Sequence, residues 1–365
     1  MDKLIYSMCN ESIKQLNTLQ KKSPKKAIKQ IIKKSLGKNI MPDDPIFWPA
    51  GMLLLGLSEA ITSDIKNESV ISSNSLEILT FIEKYTTTWL NKYATDSIKN
   101  VDDTLAGFAF IQLYEITSLD IYKTAADRIY HFITTAKTDS AGSIIYHPEK
   151  SNSYIFADGT GMSALFLAKY GSVFHITSAM EKAKTQIINY IHYGFDSNSN
   201  LPYHGYEYNS QEKMGLVAWG RAIGWLMMGY SEILSADPYS LENTLKEQFI
   251  SLSHRVIAYQ RNDGSFSWLT NAIEAHADTS ATSMIAYSLK LCLAADKTKS
   301  FLTVEDKNAF ETSIEAAKTY LSGQIKDGVV LNSLGECIDF SMHPQKYGTY
   351  PWGQGAALAF LSSIM

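Results

Sequence analysis

Cysteine is scarce: Cys9, Cys292 and Cys337 are the only three in 365 residues, far apart and without a CxxC spacing. A disulfide framework and a thiolate zinc site are thereby excluded as the basis of the fold. A dominant charge sign is lacking as well, since the net charge is only −4, and nucleic acid has no broad electrostatic footprint to bind. The local excess of lysines between Lys21 and Lys34 is interrupted by Ile28, Ile31 and Ile32, an amphipathic spacing that reads as the wet face of an outer helix. No apolar run reaches the roughly 20 residues of a membrane span, and the short one in MDKLIYSMCNES is too brief for a secretory signal core. The expectation is a cytoplasmic protein with neither a membrane nor a nucleic-acid partner. No HExxH, metal-ligand cluster, Walker loop or nucleophile elbow occurs, so no metal and no cofactor are expected.

What the chain has instead is a repeat. Six segments share a polar or aromatic start, small residues in the first turn and a long apolar run. They begin at Phe47 (FWPAGMLLLGLSEAI), Val101 (VDDTLAGFAFIQLYEI), Phe156 (FADGTGMSALFLAKYG), Ala218 (AWGRAIGWLMMGYSEIL), His276 (HADTSATSMIAYSLKLC) and Tyr350 (YPWGQGAALAFLSSI). From Trp48 through Asp103, Asp158, Trp219 and Asp278 to Trp352 the steps are 55, 55, 61, 59 and 74 residues, a period of stacked supersecondary units. Between them lie segments with apolar residues at three- and four-residue steps and a charged opposite face, such as those from Ser75, Leu119, Ser178, Ser240 and Glu305. The first set reads as helices packed on several sides, the second as helices with one wet face. Residues 142–147 and 327–332 are the short strand candidates.

The simplest closed solution is all-α: an (α/α)6 toroid of six helical hairpins, one domain over residues 1–365, with the Lys-rich segment 1–40 packing outside as a helical layer. An open α-solenoid is the competing architecture. Against it, the last segment ends without the polar cap that a solenoid terminus needs.

In a toroid the inner helices run one way, and their amino ends converge on one mouth. There the unpaired N–H groups and the helix dipole favour carboxylates. That places Trp48, Asp102, Asp103, Asp158, Trp219, Arg221, His276, Asp278, Tyr350 and Trp352 around the mouth, with His147, Tyr203, His204 and Glu207 on loops above it. Aspartate is also a good N-cap, and Asp278 before TSATS fits that role. Of the pair Asp102–Asp103, one can cap while the other faces the cavity. Asp158 precedes Gly159-Thr160-Gly161, a first turn with little side-chain bulk and room for a ligand. Trp48, Trp219 and Trp352 at helix starts could stack on a sugar ring, whereas Trp225 inside its helix reads as core.

Taken together, HPEKSNSYIFADGTGM with His147 eleven residues before Asp158, PYHGYEY around His204, WGRAIGW and DTSATSMIAYSL resemble the unsaturated glucuronyl and rhamnogalacturonyl hydrolases of glycoside hydrolase families 88 and 105. The resemblance runs from about Trp48 to the C-terminus. It implies a six-hairpin α/α barrel that needs no metal or cofactor and acts on an oligosaccharide whose non-reducing end is a C4=C5 unsaturated uronate left by a polysaccharide lyase. By resemblance Asp158 protonates C4 and water adds at C5; the hemiketal then opens and frees the neighbouring sugar. Asp102 or Asp103 matches the second acid, with Asp102 favoured by the distance to Gly107. His147, His204, Trp219, Arg221 and Trp225 match pocket residues, which moves Trp225 from core to site. A proton donor working near neutral pH calls for a raised pKa at Asp158, and the fork of Arg221 suits a uronate carboxylate.

Gly161 stands where the family often has tyrosine, and Glu207 where it often has aspartate; both changes are expected to touch the pocket wall. A pectin-type substrate is favoured, because Arg221 is the only basic residue at an inner helix start. Two other readings compete. One is a hydrolase of saturated glycosides using Asp158 with Asp102 or Asp103. The other is a non-catalytic sugar-binding toroid.

Overall fold

Apolar, small-residue helices alternate with amphipathic ones along the whole chain, and the computed structural model arranges them as two concentric layers. It describes residues 1–20, 44–68, 71–146, 153–236, 243–338, 340 and 342–364. The expected basic cluster from Lys21 to Lys34, and His147, lie outside the described residues.

The inner layer comprises α2 (Trp48–Glu68), α4 (Leu105–Thr117), α6 (Ala157–Val173), α8 (Gly220–Ala236), α10 (Thr279–Lys299) and α12 (Pro351–Ser363). The outer layer comprises α1 (Lys3–Gln20), α3 (Ser73–Lys92), α5 (Asp120–Thr135), α7 (Thr177–Gly194), α9 (Asn243–Ile257) and α11 (Val304–Ser322). Each inner helix packs on its two inner neighbours, and α12 returns to pack on α2. The ring is therefore closed. This is the (α/α)6 toroid expected from the repeat, and the open solenoid is excluded.

Closure depends on glycine where helix backbones meet. At the α2–α12 seam, a Cβ on Gly56 would stand 2.6 Å from the main-chain oxygen of Gly355, and one on Gly355 would overlap that of Met52. Between α6 and α8, a Cβ on Gly229 would lie 2.5 Å from Gly161 O, and one on Gly161 would overlap Trp225 O. Gly161 thus faces a neighbouring backbone and not the pocket wall, and a tyrosine there has no room.

The outer helices are fixed by their own caps. Thr303 and Asp306 form a reciprocal capping box at the start of α11, and Ser72 accepts from Ser75 N at the start of α3. Below the mouth, in the later turns of the inner helices, a buried polar belt crosses the barrel. Glu59 on α2 accepts from Gln112 on α4 and from the Tyr287 hydroxyl on α10, the latter at 2.6 Å. Lys169 on α6 pairs with Glu115 on α4 at 2.7 Å, and Glu232 on α8 is buried close enough to raise the Lys169 pKa.

Strands are few and sit in the loops above the mouth. β1 (Tyr154–Phe156), β2 (Gly205–Glu207) and β3 (Lys213–Met214) form an antiparallel sheet. β4 (Ile325–Lys326) and β5 (Val329–Val330) make a hairpin, and β6 (Ser333–Leu334) pairs with β7 (Tyr347–Gly348). Of the two strand candidates, 327–332 contains β5. The other, 142–147, reaches only an isolated bridge between Ile144 and Thr138.

Candidate active site

Asp102 lies in the 3-10 turn Val101–Thr104 that leads into α4, and Asp158 lies in the first turn of α6. Adjacent inner helices therefore bring two acids 56 residues apart to the edge of one cavity of about 460 Å³. The cavity is also lined by Trp48, Tyr146, Tyr154, Phe156, Met162, His204, Trp219, Arg221, Trp225 and a wall segment that includes Glu336 and Phe340. The bare first turn after Asp158 matters here: a Cβ on Gly159 would stand 3.4 Å from Asp102 Oδ1.

The β1–β2 pairing delivers the histidine. Phe156 is registered with Gly205, Ala157 N donates to His204 O at 3.0 Å, and the His204 ring then stands with Nε2 3.1 Å from Asp158 Oδ2. Its other nitrogen, Nδ1, lies 3.4 Å from the main-chain oxygen of Phe340. With Nδ1 donating to Phe340 O, the Nε2 lone pair would face the Asp158 carboxyl.

Asp102 is buried. The Tyr146 hydroxyl donates to its Oδ2, while Oδ1 has no hydrogen-bond partner among the described residues. Burial first, and the charge of Asp158 second, push its pKa well above the ordinary carboxylate range. Asp103 points away from the cavity, toward Asn100 at 3.5 Å. Burial and the charge of Asp44 push it up to about 7. Of the pair, only Asp102 reaches the pocket.

Trp219 is presented by a strained residue: Ala218 has φ of +65°, a region that costs a residue with a Cβ. Its ring packs on His204 at 4.5 Å and beneath the Arg221 guanidinium at 4.9 Å. Arg221 itself is placed differently from the expectation. Nη1 donates to Leu334 O at 2.7 Å and Nη2 to Gly335 O at 2.9 Å, so the two ends of the fork hold main chain and not a free carboxylate site. The charge still borders the cavity.

Trp48 and Trp225 meet edge to face at 6.4 Å and both line the cavity. Trp352 stands one layer back. It stacks on Tyr350 at 4.7 Å, contacts Trp48 at 4.9 Å, and donates from Nε1 to Leu334 O at 2.8 Å. A ring clamped on both faces braces the wall and offers no free face to a sugar.

The remaining mouth residues have local work. Asp278 caps α10, accepting from Ser280 N at 2.9 Å and Leu334 N at 3.0 Å. Glu207 closes its own turn by accepting from Asn209 N and Ser210 N, outside the pocket. His276 stacks on Tyr347 at 3.7 Å, and the Tyr203 main-chain oxygen accepts from Tyr190 OH at 2.9 Å. Among the lining residues, sequence reasoning missed Tyr146, Met162 and the wall residues Glu336, Cys337, Ile338 and Phe340. Tyr146 had a signal in its place directly before His147. The wall had none, because its position comes from β6 folding across the mouth.

The model of Glycosyl Hydrolase Family 88 matches residues 11–365. The unsaturated rhamnogalacturonyl hydrolase YesR of Bacillus subtilis (strain 168) is 23% identical over 332 residues, covering 87% of this chain and 89% of that protein. Among solved structures, a possible member of the GH105 family from Klebsiella pneumoniae superposes with a TM-score of 0.78 at 15% identity, over 100% of this chain and 93% of that one. A family 105 glycoside hydrolase from C. acetobutylicum does so with 0.72 at 19% identity, over 91% and 96%. The family match spans all six hairpins, and the chain belongs to glycosyl hydrolase family 88, as an enzyme of the unsaturated uronyl hydrolase group.

Proposed function

We propose that this enzyme removes a C4=C5 unsaturated uronic acid from the non-reducing end of lyase-generated oligosaccharides by hydrating the double bond, with rhamnogalacturonan or another pectin-type chain as the source. One observation carries the reading: two acids at facing helix starts share a single aromatic cavity, and a histidine sits on one of them. Burial, and the charge of Asp158 beside it, raise the Asp102 pKa well above the ordinary carboxylate range.

Asp158 gives a proton to C4 of the vinyl ether, and electron density leaves the double bond toward it. Positive charge at C5, shared with the ring oxygen, is met by water. The water's proton returns to the Asp158 carboxylate, with His204 Nε2 as its hydrogen-bonded neighbour. The C5 hemiketal then opens to a ketone, the hemiacetal this leaves at C1 collapses to an aldehyde, and the leaving sugar departs with its own hydroxyl. Trp48, Trp219 and Trp225 supply apolar faces for the uronate ring, and the Arg221 charge offsets its carboxylate without a free two-pronged grip. His147, outside the described residues, keeps its place as a binding residue by family resemblance. The three unbridged cysteines support a cytoplasmic location.

The test is optical. Adding the protein to lyase-digested pectin should abolish absorbance of the conjugated C=C bond while releasing a reducing end. Reducing-end release from saturated oligosaccharides, with unsaturated ones untouched, would overturn the proposal.

A further inference from the structure

The main chain leading into one wall of the cavity is held by several hydrogen bonds. Leu334 N donates to Asp278 Oδ1, Leu334 O accepts from both Arg221 and Trp352, and Gly335 O accepts from Arg221. Gly335 N donates to Lys346 O at 2.8 Å, and Leu334 is registered with Tyr347 across β6–β7. The next residue, Glu336, is exposed and lines the cavity, and its carboxylate has no hydrogen-bond or ion-pair partner among the described residues. Two positions on, Ile338 lines the same cavity at 69% exposure, a large apolar side chain left to water at a binding mouth. The described charged lining is thus Asp102, Asp158 and Glu336 against Arg221 alone.

We infer that Glu336 is a specificity-determining residue: a carboxylate carried at the lip by a braced main chain, which admits an uncharged leaving sugar, with Ile338 as its apolar contact, and rejects a sulfated or carboxylated one. This deepens the proposed function and rests on it. Arg221 is then a positioning residue, since its two main-chain bonds set the place of Glu336. A negative group on the leaving sugar would meet the Glu336 charge across a partly hydrated gap, where like-charge repulsion still matters but is screened by salt.

The experiment compares two unsaturated disaccharides with the same terminal uronate, one with a neutral and one with a sulfated leaving sugar. Binding is measured by titration calorimetry on the D158N protein, whose turnover is strongly slowed, with and without E336Q or E336K. The neutral compound should bind more tightly, E336Q should shrink the affinity ratio about five-fold, and E336K should shrink it further. Raising the salt should narrow the ratio only while Glu336 is present. A ratio that neither variant moves, or equal affinities with Glu336 in place, overturns the inference. Because the ratio needs no turnover, a failure of the hydration chemistry would show separately, as unchanged absorbance with the unaltered enzyme.

Discussion

His204 touches Asp158 through one ring nitrogen and the main chain of Phe340 through the other, at 3.1 and 3.4 Å. The proton of the acid and the position of the wall segment are thereby linked through one imidazole. Replacing Asp158 by Asn should reduce hydration about 10²- to 10⁴-fold, the span of a lost general acid. Replacing His204 by Ala should cost less than that and alter the pH profile of kcat, because the hydrogen-bond partner of the acid is gone. Both are read from the decay of C=C absorbance. An H204A profile that superposes on the parent would remove the histidine from the proton path.

The aspartate pair separates cleanly by variant. Asp102→Asn should lower kcat severely, since it removes the carboxyl that lines the cavity beside Asp158 and accepts from the Tyr146 hydroxyl. Asp103→Asn should leave kcat within about ten-fold and act on stability. The folded pKa of Asp103, about 7, exceeds the roughly 4 of a free carboxyl, so its ionisation costs stability as pH rises from about 4 to about 7 and adds no further loss above that. D103N should therefore flatten the fall in Tm over that range. Equal kinetic losses from the two variants would contradict the geometry.

Arg221→Lys keeps a charge but not a planar fork, and a lysine cannot hold Leu334 O and Gly335 O in the same geometry. We expect a lower Tm and a raised KM together, with kcat less affected, as the wall loosens. A normal KM in R221K would show that the clamp is dispensable.

Glu232, in the buried belt, has its pKa raised to about 7 by burial, with Lys169 pulling the other way. An acid whose folded pKa is raised adds no penalty below its unfolded value of about 4.5 and a full one above its folded value, here on the order of 3 kcal/mol. The Glu232→Gln enzyme should accordingly lose less Tm between pH 4.5 and pH 8, by a few degrees, in a thermal melt followed by circular dichroism. An identical pH dependence would place the group in water.

The architecture was legible because it rests on periodicity. Small residues at the starts of α2, α4, α6, α8, α10 and α12 recur at steps of 55 to 74 residues, and a closed ring is the simplest architecture that packs such helices on several sides. The acids were legible for the same reason: a helix start is marked in sequence. What stayed hidden was direction. Nothing in DD tells which carboxyl turns inward, and that is settled by Asp103 meeting Asn100 while Tyr146 arrives above Asp102. The Arg221 fork was misread because its acceptors, Leu334 and Gly335, are main-chain atoms more than a hundred positions away. Gly161 was misread because its neighbour is also backbone, Trp225 O, and residue types carry no sign of that.

The seam between α12 and α2 joins Gly355 to Met52 and Gly56, partners separated by nearly the whole polypeptide. Sequence-distant pairing of this kind slows folding. A ribosome emitting this chain releases five hairpins before the sixth can lock the first in place. The contact that closes the ring is therefore the last one the emerging chain can make.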